Sequence, residues 1–133
     1  ARAILEIAKR HHGKAVKRKE IVETQHIPDS YLENILVTLK AAGLINTIRG
    51  AQGGYTLTRD PEEITLFDVV QALEGTIYPV PCIESGTCDL ADICATKGVW
   101  GEMYDAIHSV LSKYSLQKMV EMDAKKDPFI YTI

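Results

Sequence analysis

Between Pro28 and Gly43 the apolar residues Leu32, Ile35, Leu36 and Leu39 recur at i, i+3, i+4 and i+7, the spacing that lines side chains along one face of an α-helix. Both ends of this stripe are marked. Proline disfavours helical backbone in the residue before it but suits the first turn of a new helix. Glycine takes the left-handed position that closes one. The spacing therefore predicts a helix over residues 28–42, with Ser30, Glu33, Asn34, Val37 and Thr38 on the face opposite the stripe. Residues 18–24 read as a shorter helix burying Ile21 and Val22, and His26 falls in the turn between the two. Histidine is among the residues that tolerate left-handed backbone there. Two short helices across a tight turn, the second with a polar outer face, form a helix-turn-helix.

The flanking segments extend this motif. Residues 3–11 place Ile4, Leu5, Ile7 and Ala8 on one side of a first helix that Gly13 ends, followed by a basic loop over 14–19. After Gly43, β-branched residues over 44–49, a glycine-rich turn over 50–54 and a second run over 55–58 predict a β-hairpin. A helix-turn-helix followed directly by a hairpin is the order of a winged-helix domain. Thr65 is placed to cap a helix over 66–73 that Gly75 closes. Farther on, Val99, Trp100, Met103, Ile107, Val110, Leu111 and Tyr114 recur at steps of three and four. So wide a seam on one long helix needs a partner, and a second copy of the chain is the expected one. Ser115 restarts a short helix, and the apolar tail over 129–133 is expected to dock. The fold class is mainly α with a small β-hairpin wing: a winged helix-turn-helix plus a long dimerisation helix.

Composition limits the partners. At 133 residues the chain holds one compact core and has no room for two full domains. No apolar run approaches the ~20 residues that span a bilayer. The first residues lack a signal-peptide layout, and the missing Met suggests a chain seen without its start. Three cysteines, an odd number, argue against a secreted disulfide framework and for a cytoplasmic protein. The net charge of −3 hides a division: residues 1–59 carry ten Lys and Arg against five acids, whereas residues 60–133 carry five against thirteen. A basic half joined to an acidic half suits a nucleic-acid-binding module attached to a sensing or assembly module.

The chemistry-bearing residues are few. Cys82, Cys88 and Cys94 are spaced Cys-x5-Cys-x5-Cys in a polar, proline-containing loop. Structural zinc generally uses closer pairs and four protein ligands, whereas iron–sulfur ligation tolerates wider spacing and a non-cysteine ligand. The residues alone leave three readings open: a metal or cluster site, a thiol redox switch, and inert structural cysteines. A thiol-redox enzyme would be expected to carry Cys-x-x-Cys at a helix N-terminus, which is absent, so the chain reads as a non-enzyme. Arg49 beside the glycine turn can enter a minor groove, while Gly53 and Gly54 can bring backbone N–H groups near phosphate. Asn34 can pair with adenine and Glu33 with a cytosine amino group. Glu33 also complements the positive end of its helix. His11, His12, His26 and His108 show no mutual ligand spacing and read as structural.

Ser30-Tyr31-Leu32-Glu33, Gly43-Leu44-Ile45, the run Arg49-Gly50-Ala51-Gln52-Gly53-Gly54-Tyr55, and the cysteine triad with Trp100 six residues past its last member resemble the IscR-like family of bacterial winged-helix regulators. That family includes an iron–sulfur assembly regulator, a nitric-oxide-sensing regulator and a cysteine-metabolism repressor. The resemblance covers nearly the whole chain, although family members usually begin about ten residues earlier. It implies a homodimer on a palindromic operator and a DNA-contacting set of Ser30, Tyr31, Glu33, Asn34, Arg49, Gln52, Gly53 and Gly54. It also implies an iron–sulfur cluster on Cys82, Cys88 and Cys94, [2Fe–2S] ahead of [4Fe–4S], that tunes operator affinity at cluster-biogenesis genes. The alternatives within the family are nitric oxide sensing and cysteine-metabolism repression. One position departs from the pattern. Cluster-assembly regulators carry a His three residues after the last cysteine; here Lys97 stands there, and a protonated amine is a poor iron ligand. Glu84, Asp89, Asp92, a partner-subunit residue or an external thiol could complete the set. The expected organisation is a DNA-binding domain over 1–75, a cluster loop over 76–96, and a dimerisation helix with tail over 97–133.

Overall fold

The structure, a computed structural model, describes residues 1–75, 77 and 95–126. Its elements in chain order are α1 (Arg2–Lys9), α2 (Arg18–Gln25), α3 (Asp29–Ala41), β1 (Ile45–Ile48), β2 (Gly54–Leu57), α4 (Leu66–Glu74), α5 (Ala95–Ser112) and α6 (Leu116–Ala124). This is the expected mainly-α architecture with one antiparallel hairpin. The core gathers Ile4 and Ile7 of α1, Ile21 of α2, Leu32, Leu36 and Leu39 of α3, and Ile45, Ile64, Val69 and Leu116. The α3 stripe is buried as its spacing requires, with Ile35 at its edge.

Local signals set most element ends. His26 closes α2 in the left-handed region at φ 53° and donates its N–H to the Val22 carbonyl. Gly43 follows α3 at φ 78°. At the start of α4, Thr65 Oγ1 accepts from the Asp68 N–H and Asp68 Oδ2 accepts from the Thr65 N–H, a reciprocal cap. Ser115 Oγ likewise accepts from the Lys118 N–H to begin α6.

The hairpin pairs Ile45 with Leu57 and Ile48 with Gly54. The segment before α2 behaves differently from the plain loop expected over 14–19. Val16 is buried and exchanges two backbone hydrogen bonds with Tyr55, at 3.0 and 2.8 Å, adding one rung to the outer edge of β2. An isolated valine between lysines gives no periodic sign of this, because one rung needs no alternation. Helix α1 also ends earlier than expected, at Lys9, and the chain reaches Gly13 through a turn.

Helix α5 begins at Ala95, directly after the last cysteine, so residues 95 and 96 of the expected cluster loop are helical. It leans on α4, where Phe67 meets His108 edge-on with ring centroids 4.5 Å apart. None of its residues is buried, and Val99, Met103 and Val110 are exposed. After the turn at Ser115 the chain folds back: the N–H groups of Leu116 and Gln117 donate to the carbonyls of Ile64 and Pro61, and that of Leu66 to the carbonyl of Tyr114. This anchors α6 across α1, which returns the end of the described chain to its beginning. The cysteines and the tail over 129–133 lie outside the described residues. No helix among the described residues is long and apolar enough to cross a membrane.

Candidate nucleic-acid interface

Helix α3 carries the centre of the site. Its buried stripe fixes the helix's rotation, so Ser30, Tyr31, Glu33, Asn34 and Val37 are all exposed. Thr38, expected on the same face, turns its hydroxyl back to donate to the Asn34 carbonyl at 3.0 Å and is only partly exposed. Glu33 is held from the side. Arg18, at the start of α2, lies 3.0 Å from Asp29 and 3.6 Å from Glu33 through different guanidinium nitrogens. An exposed bridge of this kind adds little stability. It does set where the carboxylate waits. Sequence reasoning missed this triad because its members sit on two helices with no common spacing.

The hairpin carries the other half. Arg49 and Gln52 are exposed at its tip. Gly53 has an intramolecular reason to be glycine: a Cβ there would fall against the Ile48 carbonyl oxygen and within 2.9 Å of the Gly50 oxygen. Its N–H donates to that same Gly50 carbonyl at 3.0 Å, so this group is used inside the turn. Gly54 lies at φ 151°, and a Cβ on it would sit 2.5 Å from the Val16 oxygen. The two glycines therefore shape the wing and let the edge segment pair with Tyr55.

That pairing brings the basic segment to the wing. Gln52 lines one cleft with Arg10, His11, His12, Lys14 and Lys17. Within it, Glu20 accepts from the Lys17 N–H at 2.8 Å and meets Arg10 at 3.2 Å. The hydrogen bond from the Lys17 backbone, helped by the Arg10 charge against a small burial cost, holds the Glu20 carboxyl below its ordinary range. Arg10 is thus neutralised, whereas no ion pair engages Lys14, Lys17 or Lys19 among the described residues. These lysines form a basic flank that the sequence showed only as a charge run.

Behind the interface is a second network. Glu6 is buried on α1 and accepts from Gln25 Nε2 at 2.7 Å and from Lys9 Nζ at 2.9 Å. Lys9 also pairs with Asp123 of α6 at 2.5 Å. Burial opposes the Lys9 charge, but the two carboxylates outweigh it and raise its pKa. One lysine thereby ties α6 to α1, and through Glu6 to the end of α2. Of the histidines, His11 and His12 stack edge-on at 4.8 Å, and His108 faces Phe67 and Tyr104.

Among the described residues no cluster of three His, Cys, Asp or Glu side chains is placed to hold a metal ion. The candidate ligands Cys82, Cys88 and Cys94 lie outside those residues, as do Glu84, Asp89 and Asp92. Lys97 is half-buried in the first turn of α5.

Comparison with known proteins places this arrangement. A family profile described as Rrf2, iron-dependent transcriptional regulator, matches residues 1–122. The chain is 32% identical over 131 residues to the HTH-type transcriptional regulator CymR of Bacillus subtilis, covering 98% of this chain and 91% of CymR. The solved structure of that protein, described as the global cysteine regulator of B. subtilis, superposes with a TM-score of 0.73 over 90% of this chain and 89% of that one. Protein rrf2 of Nitratidesulfovibrio vulgaris is 36% identical over 120 residues, 90% of this chain and 80% of that protein. The structure of T. potens IscR superposes with a TM-score of 0.76 at 32% identity, over 98% of this chain and 88% of that one.

Proposed function

The chain belongs to the Rrf2 family of transcriptional regulators, and we propose that it grips a palindromic operator as a homodimer, with α3 in the major groove and the wing in the adjacent minor groove. It is a DNA-binding transcription regulator, and its relatives are named as regulators rather than enzymes. The observation that carries the docking is the pairing of two surfaces. The α3 face opposite the buried stripe is exposed at Ser30, Glu33, Asn34 and Val37, and Arg18 and Lys19 of the basic segment share a cleft with Asp29 at the start of α3 and Tyr55 of the wing. In this reading Ser30, Tyr31, Glu33 and Asn34 meet base edges and backbone, Arg49 and Gln52 meet the minor groove, and Gly53 and Gly54 hold the wing in shape. The partner is a second copy, because α5 buries no residue of its own while presenting Val99, Met103 and Val110. The working division is a DNA-binding unit over 1–75, a cysteine loop over 76–96 and a dimerisation and anchoring unit over 97–133, in a cytoplasmic protein.

Cys82, Cys88 and Cys94 supply three soft thiolates, a donor set that suits an iron–sulfur cluster, with [2Fe–2S] ahead of [4Fe–4S]. Bound there, the cluster would supply a redox- and oxygen-responsive centre that tunes operator affinity, at cluster-biogenesis genes in the leading reading. The family description as iron-dependent supports a metal-linked signal. Similarity to a global cysteine regulator over most of the chain supports a second reading, repression of cysteine metabolism. Lys97 favours that second reading only in so far as it leaves the fourth ligand position without a histidine.

The docking is tested on a duplex selected by the wild-type protein from a random library. Arg49→Ala should weaken binding to that duplex about tenfold and lower the salt slope by about two, one for the cation lost from each protomer. A protein that selects no sequence, or an Arg49→Ala variant that binds the selected duplex unchanged, overturns it.

A further inference from the structure

Val37 is the apolar centre of an otherwise polar recognition face. Its side chain is 63% exposed. At about 100° per residue along an α-helix, it lies almost diametrically opposite the direction defined by Leu32, Ile35, Leu36 and Leu39. Ser30, Glu33 and Asn34 flank it on the same face, and Val37 follows Asn34 by three residues, about 4.5 Å along the axis. Tyr31, by contrast, falls toward the edge of the face and lines a recess with Pro28, Ile35 and Arg2.

Among the described residues none rewards a valine here. It joins neither the core nor the hydrophobics packed against it, and a β-branched residue on an exposed helical surface is a weaker helix former than alanine or lysine. What an exposed branched alkyl group can recognise in a major groove is the C5-methyl of thymine, the one apolar feature among the base edges there.

We propose that Val37 is a specificity-determining residue that packs on a thymine methyl, one or two base pairs inward from the bases met by Glu33 and Asn34. This rests on the docking of α3 in the major groove proposed above. Val37 then selects T·A over C·G at that step, because replacing thymine by cytosine removes the methyl and presents a polar amino group instead. Glu33 and Asn34 supply hydrogen-bond readout, and Val37 adds a contact that hydrogen bonding cannot make.

The test uses full-length protein and the duplex selected from a random library, with each thymine replaced in turn by uracil at the matching position of both half-sites, which deletes only the methyls that the two copies of Val37 would meet. One position should weaken wild-type binding about sixteenfold, about fourfold for the one buried methyl group lost in each half-site. Val37→Ala should lose a similar factor on the thymine duplex and nothing further on the uracil duplex at that position. The combined loss is then about sixteenfold rather than the roughly 250-fold of independent effects. Val37→Thr, nearly isosteric, should keep the fold and lose part of the methyl discrimination. Circular dichroism of both variants should match wild type, since the residue is exposed. If the wild type selects no sequence, the docking fails and this contact fails with it. If it selects a sequence but no uracil substitution is felt, or the Val37→Ala and uracil losses multiply at every position, Val37 does not read a methyl and the docking stands without it.

Discussion

Replacing Glu6, which lies outside the candidate interface, by alanine should lower the stability of the whole domain by about 2–3 kcal/mol. Glu6 is 7% exposed, and its carboxylate accepts two hydrogen bonds, from Gln25 at 2.7 Å and from the Lys9 ammonium at 2.9 Å. Hydrogen bonds to charged groups contribute about 1.5–3 kcal/mol each. The sum is reduced because the Lys9 side chain is 31% exposed and keeps Asp123, so that bond counts only about 0.5 kcal/mol, the worth of a solvent-screened pair. The Gln25 amide loses its acceptor and must find solvent. Glu6→Gln retains the shape and an acceptor oxygen, and should cost roughly half as much. Urea unfolding followed by circular dichroism, at fixed protein concentration because dimerisation would shift the midpoint, should show the alanine variant unfolding about 1 M earlier for a slope near 2 kcal/mol/M. A cycle with Lys9→Met should return a coupling of about 0.5 kcal/mol. A midpoint unchanged within about 0.3 M, or a coupling of zero, would refute the view that this network holds α1 to α2 and α6.

Met103→Asp with Ile107→Asp should yield a monomer by analytical ultracentrifugation with much weaker DNA binding; a wild-type protein already monomeric would remove the case for α5 as the dimer seam. Cys82→Ala, Cys88→Ala and Cys94→Ala should each abolish the visible absorbance and acid-labile sulfide of anaerobically prepared protein. Lys97→His should make that absorbance more persistent in air, whereas Lys97→Ala should change little; loss of the chromophore in Lys97→Ala would make the lysine a ligand. Asp123 should shape the acid limb of stability. The hydrogen bond from Lys9 holds its pKa below the ordinary 3.8 against partial burial. A lowered folded pKa gives stabilisation that is complete above the unfolded value and fades as pH falls through the folded one. Asp123→Asn should therefore destabilise the protein at neutral pH and converge with wild type below about pH 4, as acid titrations followed by circular dichroism would show.

The signals legible in the amino-acid sequence were those that act over a few residues. Leu32, Ile35, Leu36 and Leu39 determine which face of α3 is buried, and so present Ser30, Glu33 and Asn34, because helical periodicity is a property of the segment itself. The left-handed turn at His26, the stop at Gly43 and the caps at Thr65 and Ser115 are equally local, each set by one side chain or by the lack of one. Much of the candidate interface was readable on that basis, down to Arg49 at the wing. Only the tertiary structure decided what joins these pieces. Val16 beside Tyr55, Arg18 between Asp29 and Glu33, and Lys9 between Glu6 and Asp123 link residues on different elements, in the last case from opposite ends of the described chain. A backbone rung of one residue and an ion pair between helices impose no period on the sequence. Their partners are chosen by where the packed core sets the helix ends, and that choice exists only once the core has formed.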